Sequence, residues 1–317
     1  MTNTSDTLDR FLDVARARVD RALEQWLPAP PACPDLVSAS MRYSLFAGGK
    51  RLRPMLTLAA ADAVGRSGGD VVSQAAQELA LPAACAIELV HTYSLIHDDL
   101  PAMDNDTLRR GQPTLHVIYG DGTAILAGDG LQAEAFALLA REPQTDNAAV
   151  VARKMRVVGV VATAAGACGM VGGQALDLQA AGQVAGHRLA LNPDGLRDMH
   201  ARKTGALIRA AALSGAVMAG ADERRAGAID RYGAEIGLAF QIVDDILDVE
   251  GDAAALGKTA GKDAAQDKPT YPSLFGIERS RAMAAECLER ARAALGDEQL
   301  LDGWLWPIAE WVALRRH

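Results

Sequence analysis

An all-α chain is predicted by three observations. Aromatic residues make up 4% of the 317 residues while Ala and Leu are abundant. Ala and Leu are strong helix formers, whereas β-branched and aromatic residues favour strands. No segment sustains the alternation of a half-buried strand. Half of the residues are hydrophobic, ample for a large core. No repeat of fixed period and no flexible linker divides the chain. One domain over residues 1–317, of about ten or more helices, is therefore expected.

The elements follow in order. Residues 5–27 read as an amphipathic helix, with Leu8, Phe11, Leu12, Ala15, Val19, Ala22, Leu23 and Trp26 on one side. The proline-rich run 28–34 breaks it into a loop. A second helix covers 35–47 and stops at Gly48-Gly49. Pro54 suits the first turn of a third helix, and Pro82 similarly opens the helix carrying His91, Tyr93 and Asp98. Later helices are expected over 122–140, 146–172, 193–219, 222–249, 272–295 and 298–315. Asn192-Pro193 has the pattern of an N-cap followed by proline at the first helical position. The longest irregular stretch, 251–271, carries Lys258 and Lys268 and reads as a functional lid rather than slack.

Composition narrows the function classes. A net charge of −8 argues against a broad basic surface for nucleic acid or anionic membrane. Anionic small substrates stay admissible, because a metal ion and a few placed Arg and Lys reverse the local field. Cys33, Cys85, Cys168 and Cys287 are scattered, with no Cys-x-x-Cys pair, so free thiols in a reducing cytoplasm are expected. Residues 1–21 contain no apolar signal region. The uncharged stretch 157–176 has the small-residue spacing of a membrane dimer at Gly169 and Gly173. Gly and Ala contribute little transfer energy, however, so a helix buried at the centre of a bundle is expected there and no membrane span.

Two aspartate-rich sites carry the chemistry: Asp98-Asp99-Leu100-Pro101-Ala102-Met103-Asp104 and Asp244-Asp245-Ile246-Leu247-Asp248. Each follows an apolar, helix-patterned run. Carboxylates at the end of a largely buried helix are costly to desolvate unless neutralised. Mg²⁺ does this well, with one or two carboxylates plus substrate phosphates. A pair of such sites points to a diphosphate gripped through several Mg²⁺ ions. Asp244 and Asp248 are i and i+4 and share a helix face. Asp98 and Asp104 do not share one in an ideal helix; a kink at Pro101, which cannot donate to the carbonyl of His97, would bring them round.

His91 lies two helical turns before Asp98, roughly 10.5 Å along the same face, where it is placed to hold a second anion. Taken alone it reads as a core histidine bonded to backbone. Gly48-Gly49-Lys50-Arg51-Leu52-Arg53-Pro54 sets three cations beside two glycines, which let backbone approach a phosphate while Arg offers a fork. Taken alone it reads equally as a solvated basic turn. Arg109-Arg110-Gly111 places two more cations just past the first Asp site. His97-Asp98 also fits a metal-dependent phosphohydrolase, but that reading lacks further His ligands and leaves the second Asp cluster unexplained.

Together with Lys203-Thr204-Gly205 and Gln241-Ile242-Val243, these motifs resemble the trans-isoprenyl diphosphate synthases, and among them the bacterial farnesyl diphosphate synthase type. The resemblance runs from about residue 35 to 275, and the combined motifs are highly specific. It implies the isoprenoid synthase fold around a central active-site cavity and a homodimer. It implies that Asp98, Asp104 and Asp244 bind Mg²⁺, with Asp99 and Asp248 supporting a cluster of about three ions once substrate is bound. Arg109, Lys203, Thr204, Gln241, Lys258 and Lys268 would hold the allylic diphosphate, and Lys50, Arg53, His91 and Arg110 isopentenyl diphosphate. Asp98, Asp104, Lys203 and Asp244 would be catalytic.

A bulky aromatic at Tyr93, with Ser94 beside it, resembles the chain-length position of farnesyl synthases; smaller residues there resemble geranylgeranyl synthases. A geranylgeranyl or geranyl product is the alternative. A terpene cyclase would show an Asn/Ser/Glu-type second metal motif, and a non-catalytic subunit would lose one Asp motif. The chain departs from the pattern at Thr107 and Asp267, where many relatives have Asp and Gly. The basic tail 315–317 reads either as a solvated end, the reading preferred, or as a segment that closes over a substrate, as basic tails do in some relatives.

Overall fold

The computed structural model describes residues 4–250 and 269–314. The fold is helical, as expected. In chain order the helices are α1 (Thr4–Trp26), α2 (Asp35–Leu45), α3 (Leu52–Gly65), α4 (Asp70–Asp98), α5 (Leu115–Tyr119), α6 (Asp121–Arg141), α7 (Ala148–Ala165) and α8 (Met170–Ala180). They continue with α9 (Pro193–His200), a π turn (Ala201–Gly205), α10 (Ala206–Ala219), α11 (Glu223–Glu250), α12 (Tyr271–Phe275), α13 (Ile277–Gly296) and α14 (Leu305–Leu314). A hairpin of two-residue strands, β1 (Leu108–Arg109) and β2 (Gln112–Pro113), is the only sheet among the described residues.

The core forms around α4, which packs against α3, α6 and α10, while α10 lies against α3, α7 and α11. Every residue from 80 to 90 is buried. That run explains a difference from the sequence expectation: Pro82 does not open α4 but sits within it. The lost backbone bond costs about 3 kcal/mol. Burying an Ala, Leu and Ile surface on all sides outweighs it, because each large apolar side chain contributes about 1.5–3 kcal/mol. The two ends of the chain meet where Phe11 of α1 stacks on Trp304 at 4.7 Å, just before α14. The buried Tyr232 hydroxyl of α11 donates to the Leu305 carbonyl at 2.6 Å.

Four other expectations are corrected. The helix expected over 146–172 is two helices, broken at residues 166–169. Nor is the stretch 157–176 a central buried helix: most of its residues are exposed or half-buried, whereas residues 80–90 of α4 are all buried. The segment 272–295 is split at Gly276, where φ is 78°. The last helix begins at Leu305 rather than 298, because residues 297–304 form turns, with Gln299 left-handed at φ 58°. Across 193–219 the helical path is continuous but changes pitch in the π turn. The N-cap at Asn192 is present: its side chain accepts from Gly195 N at 2.8 Å. The lid expectation for 251–271 falls mostly on residues outside those described, as do Lys258, Asp267, Lys268 and the basic tail.

Candidate active site

The first Asp site is built by a turn, not by a kink at Pro101. α4 ends at Asp98, and Pro101 lies in the exposed turn that follows. The chain then folds back on the helix end: Asp104 N donates to the Asp98 carbonyl at 2.9 Å and Asp106 N to the Asp99 carbonyl at 3.1 Å. Asn105 adopts φ 51° to close the turn, a conformation that Asn tolerates better than most residues. This return brings Asp104 close enough to act electrostatically on Asp98. Asp99 is buried and held by Arg109 of β1, whose Nη2 donates to Oδ1 at 2.5 Å and whose Nε reaches Oδ2 at 2.9 Å and Oδ1 at 2.8 Å. The bidentate fork fixes the hairpin beneath the α4 end. It also engages both Asp99 and Arg109 with each other.

Asp98 faces α8 and the π turn. Gln174 Nε2 donates to its Oδ1 at 2.5 Å, and the Lys203 ammonium stands 3.9 Å from its Oδ2. Lys203 is itself bonded to the buried Asp177, one turn past Gln174 on α8. Burial raises the Asp98 carboxyl above its ordinary range, Lys203 opposes that shift, and Asp104 adds to it. Burial works against the charge of Lys203 in turn, but Asp98 and Asp177 outweigh it and raise its pKa. The π turn is where such a ladder is commonly distorted for function. It meets α8 at Gly173, where a Cβ would lie 2.2 Å from the Lys203 backbone nitrogen. Any larger residue there would push α8 off the turn.

The second Asp site lies on α11. Asp244 is exposed and Asp248 half-buried, four residues along the same face. Asp245 is buried, accepting from Gln241 Nε2 at 2.8 Å and from Tyr271 N at 3.0 Å. The Thr204 hydroxyl donates to Gln241 Oε1 at 3.2 Å. A hydrogen-bonded line therefore runs from α12 through Asp245 and Gln241 to the π turn.

A cationic cluster sits further back along α4. Burial lowers the Arg53 pKa to about 10, with Glu88 opposing and Arg110 adding. Burial also lowers Arg110. His91 is pushed well below its ordinary value by burial, then by Arg53 and Arg110. It is therefore neutral near pH 7, able to donate one N–H without adding charge. Lys50 stands 5.4 Å above the Trp311 ring of α14.

Arg51, between Lys50 and Arg53, turns inward. Its guanidinium reaches Asp20 Oδ1 at 2.9 Å, Glu88 Oε1 at 2.9 Å and the Leu45 carbonyl at 2.7 Å, tying α1, α4 and α2 to one turn. Its backbone is left-handed, at φ 51°, a strained state held by those three bonds. The glycines have a different role from the expected one. Arg110 donates to the Gly48 carbonyl, and a Cβ on Gly49 would lie 2.6 Å from the Arg110 guanidinium. The open space at Gly49 thus seats Arg110 rather than a phosphate.

Tyr93 is buried on the α4 face toward α6. Its ring meets His97 edge-on at 5.8 Å, and Gln132 of α6 faces its hydroxyl. The Ser94 hydroxyl donates to the His91 carbonyl at 2.7 Å.

The donor set fits Mg²⁺. Both Asp sites offer hard carboxylate oxygens, and no group of three His, Cys, Asp or Glu side chains among the described residues forms a complete metal cage. Hard oxygens of this kind suit an ion that keeps waters and takes phosphate oxygens from substrate. Neither Gln174 nor Asp177 was assigned to the site from the sequence. The available signal was an amide and a carboxylate three positions apart in an otherwise Gly-, Ala- and Leu-rich helix.

Comparison with known proteins finds relatives along most of the chain. The family model of the polyprenyl synthetases matches residues 34–299. The chain is 40% identical over 311 residues to a farnesyl diphosphate synthase of Geobacillus stearothermophilus, covering 98% of this chain and 99% of that protein. It is 46% identical over 263 residues to a geranylgeranyl diphosphate synthase of Cyanophora paradoxa, covering 83% and 82%. Among solved structures it is similar to an FPP/GFPP synthase from Zymomonas mobilis in its apo form. There the TM-score is 0.81 at 35% identity, with 97% of this chain and 99% of the other covered.

Proposed function

Because the chain belongs to the polyprenyl synthetase family, and so is a prenyltransferase of isoprenoid biosynthesis, we propose that it makes farnesyl diphosphate with Mg²⁺. It would condense isopentenyl diphosphate with dimethylallyl and then geranyl diphosphate. One observation carries the two-substrate reading. Two groupings of unlike chemistry lie along α4: carboxylates with Lys203 at its end, and behind them Arg53, Arg110 and neutral His91, which would take a second anion without metal.

The residues divide the work accordingly. Asp98, Asp104, Asp244 and Asp248 would hold Mg²⁺, which supplies charge stabilisation on the leaving diphosphate. Lys203 donates to that diphosphate as the allylic C–O bond breaks and the electron pair leaves with oxygen. Thr204 and Gln241, already bonded to each other, hold its flank. Lys50, Arg53, Arg110 and His91 hold isopentenyl diphosphate so that its double bond attacks the allylic carbon. The new C–C bond leaves a cation that loses a proton to the released diphosphate, so no side-chain base is required. Arg109 reaches the diphosphate only after sharing its fork with Asp99.

The farnesyl length rests on Tyr93. The relatives include both farnesyl and geranylgeranyl synthases, so the floor of the tail pocket decides between them. Tyr93 lies roughly 7.5 Å before Asp98 along α4. Tyr93→Ala should shift the main product to geranylgeranyl diphosphate or longer by product chromatography. An unchanged profile would show that the floor lies elsewhere.

The wild-type assay with isopentenyl and dimethylallyl diphosphates plus Mg²⁺ tests the whole reading, with farnesyl diphosphate expected as the main product. Substrate binding without any prenyl product would favour a non-catalytic partner subunit.

A homodimer is also proposed. α7 exposes Val151 and Met155 (42% and 65%), one turn apart on one face, and Ile125 and Leu126 of α6 and Val171 of α8 are exposed as well. Apolar patches of this kind mark protein contacts. Sedimentation of Met155→Glu should show monomer where the native chain shows dimer.

A further inference from the structure

We propose that Asp177 is a positioning residue that holds the Lys203 ammonium off Asp98 and so leaves that carboxylate open to a divalent cation. The inference rests on the Mg²⁺ reading of the first Asp site. α8 presents Gln174 and Asp177 on one face, three residues apart. Gln174 donates to Asp98 Oδ1 at 2.5 Å while Asp177 accepts from Lys203 Nζ. The ammonium is 3.9 Å from Asp98 Oδ2, near enough to close on it by a side-chain rotation. Gly173 sets this balance, because α8 rests there directly on the Lys203 backbone.

Asp98 and Asp177 are the two carboxylates that act most strongly on Lys203. If the Asp177 charge is removed, Asp98 becomes the strongest remaining anion for a largely desolvated ammonium. Attraction between unit charges at such range is strong where water is scarce. Lys203 would then neutralise Asp98 and compete with the metal for the same oxygens. With Asp177 ionised, the ammonium keeps a fixed partner and still has two N–H donors for a diphosphate. Asp177 thus separates two roles that would otherwise collapse into one ion pair.

Mn²⁺ binding to the full-length chain, read by electron paramagnetic resonance without diphosphate, tests this. Asp177→Asn should weaken Mn²⁺ binding by about tenfold or more, as loss of an outer ligand-orienting group does. The double variant Asp177→Asn/Lys203→Gln should recover most of that loss, because no ammonium remains to compete. If the Asn variant does not fold by circular dichroism, Asp177→Ser with and without Lys203→Met gives the same comparison. Wild-type Mn²⁺ affinity in the single variant would overturn the proposal. So would equal weakness in single and double variants, which would make Asp177 a ligand itself. Asp98→Asn is the control for the underlying reading: if it leaves Mn²⁺ binding intact, the metal site is elsewhere and that reading fails.

Discussion

Asp98→Asn is expected to lower kcat by about 10³-fold while the chain stays folded. The asparagine keeps the shape of the side chain and removes its charge. A divalent cation at a leaving diphosphate supplies several kcal/mol of charge stabilisation, and each 1.36 kcal/mol is about tenfold in rate. Asp98 sits where that contribution converges. It ends α4, is approached by Asp104 through the returning turn, and faces Lys203 across 3.9 Å. The buried Asp99 offers no substitute, because Arg109 already grips both of its oxygens. The isopentenyl diphosphate KM should change little, since its cluster lies about two turns back along the helix. Steady-state kinetics beside a thermal melt check this, and retention of kcat within tenfold would remove the α4 end from the chemistry.

Glu88→Ala should have the largest effect on stability, about 3–5 kcal/mol, because it strands a charge. Arg51 and Glu88 are only 4% and 2% exposed. The remaining carboxylate partner of Arg51, Asp20, is partly solvated, with 36% of its side chain exposed. For a chain of this size the melting midpoint should fall by on the order of 10 °C. The double variant Arg51→Met/Glu88→Leu should lose much less, since neither charge is left alone. It should still raise the isopentenyl diphosphate KM, because Arg51 holds the left-handed turn that aims Lys50 and Arg53. Equal melting of single and double variants would mean that the pair contributes no more than its volume.

The candidate site residues stood out in the sequence because they are unusual for their surroundings. Acidic pairs at the ends of apolar helices are hard to explain as surface, whereas three cations beside two glycines gained weight only beside them. The helix breaks were less legible. Gly166 and Gly169 lie in a run rich in Ala and Gly, where local preference barely distinguishes a turn from a helix. Pro82 misled for the opposite reason: its local rule was overridden by burial on every side. Arg51 stood in the sequence as one of three cations beside two glycines, and only tertiary contacts with Asp20, Glu88 and Leu45 show that it points inward. Asp177 was missed because its partner lies 26 residues away in sequence, beyond the reach of any local pattern.

One consequence follows from α4 being a single unbroken rod through Pro82. Glu88, His91, Tyr93 and Asp98 ride on it at fixed intervals, the first and last about 15 Å apart at 1.5 Å per residue. Deleting or inserting one residue between them would rotate everything downstream by about 100°. The anchor, the second anion site, the tail pocket and the metal end would all lose register at once. Exchange of single side chains along the rod would act on one position at a time, whereas a change in its residue count would disturb all four together.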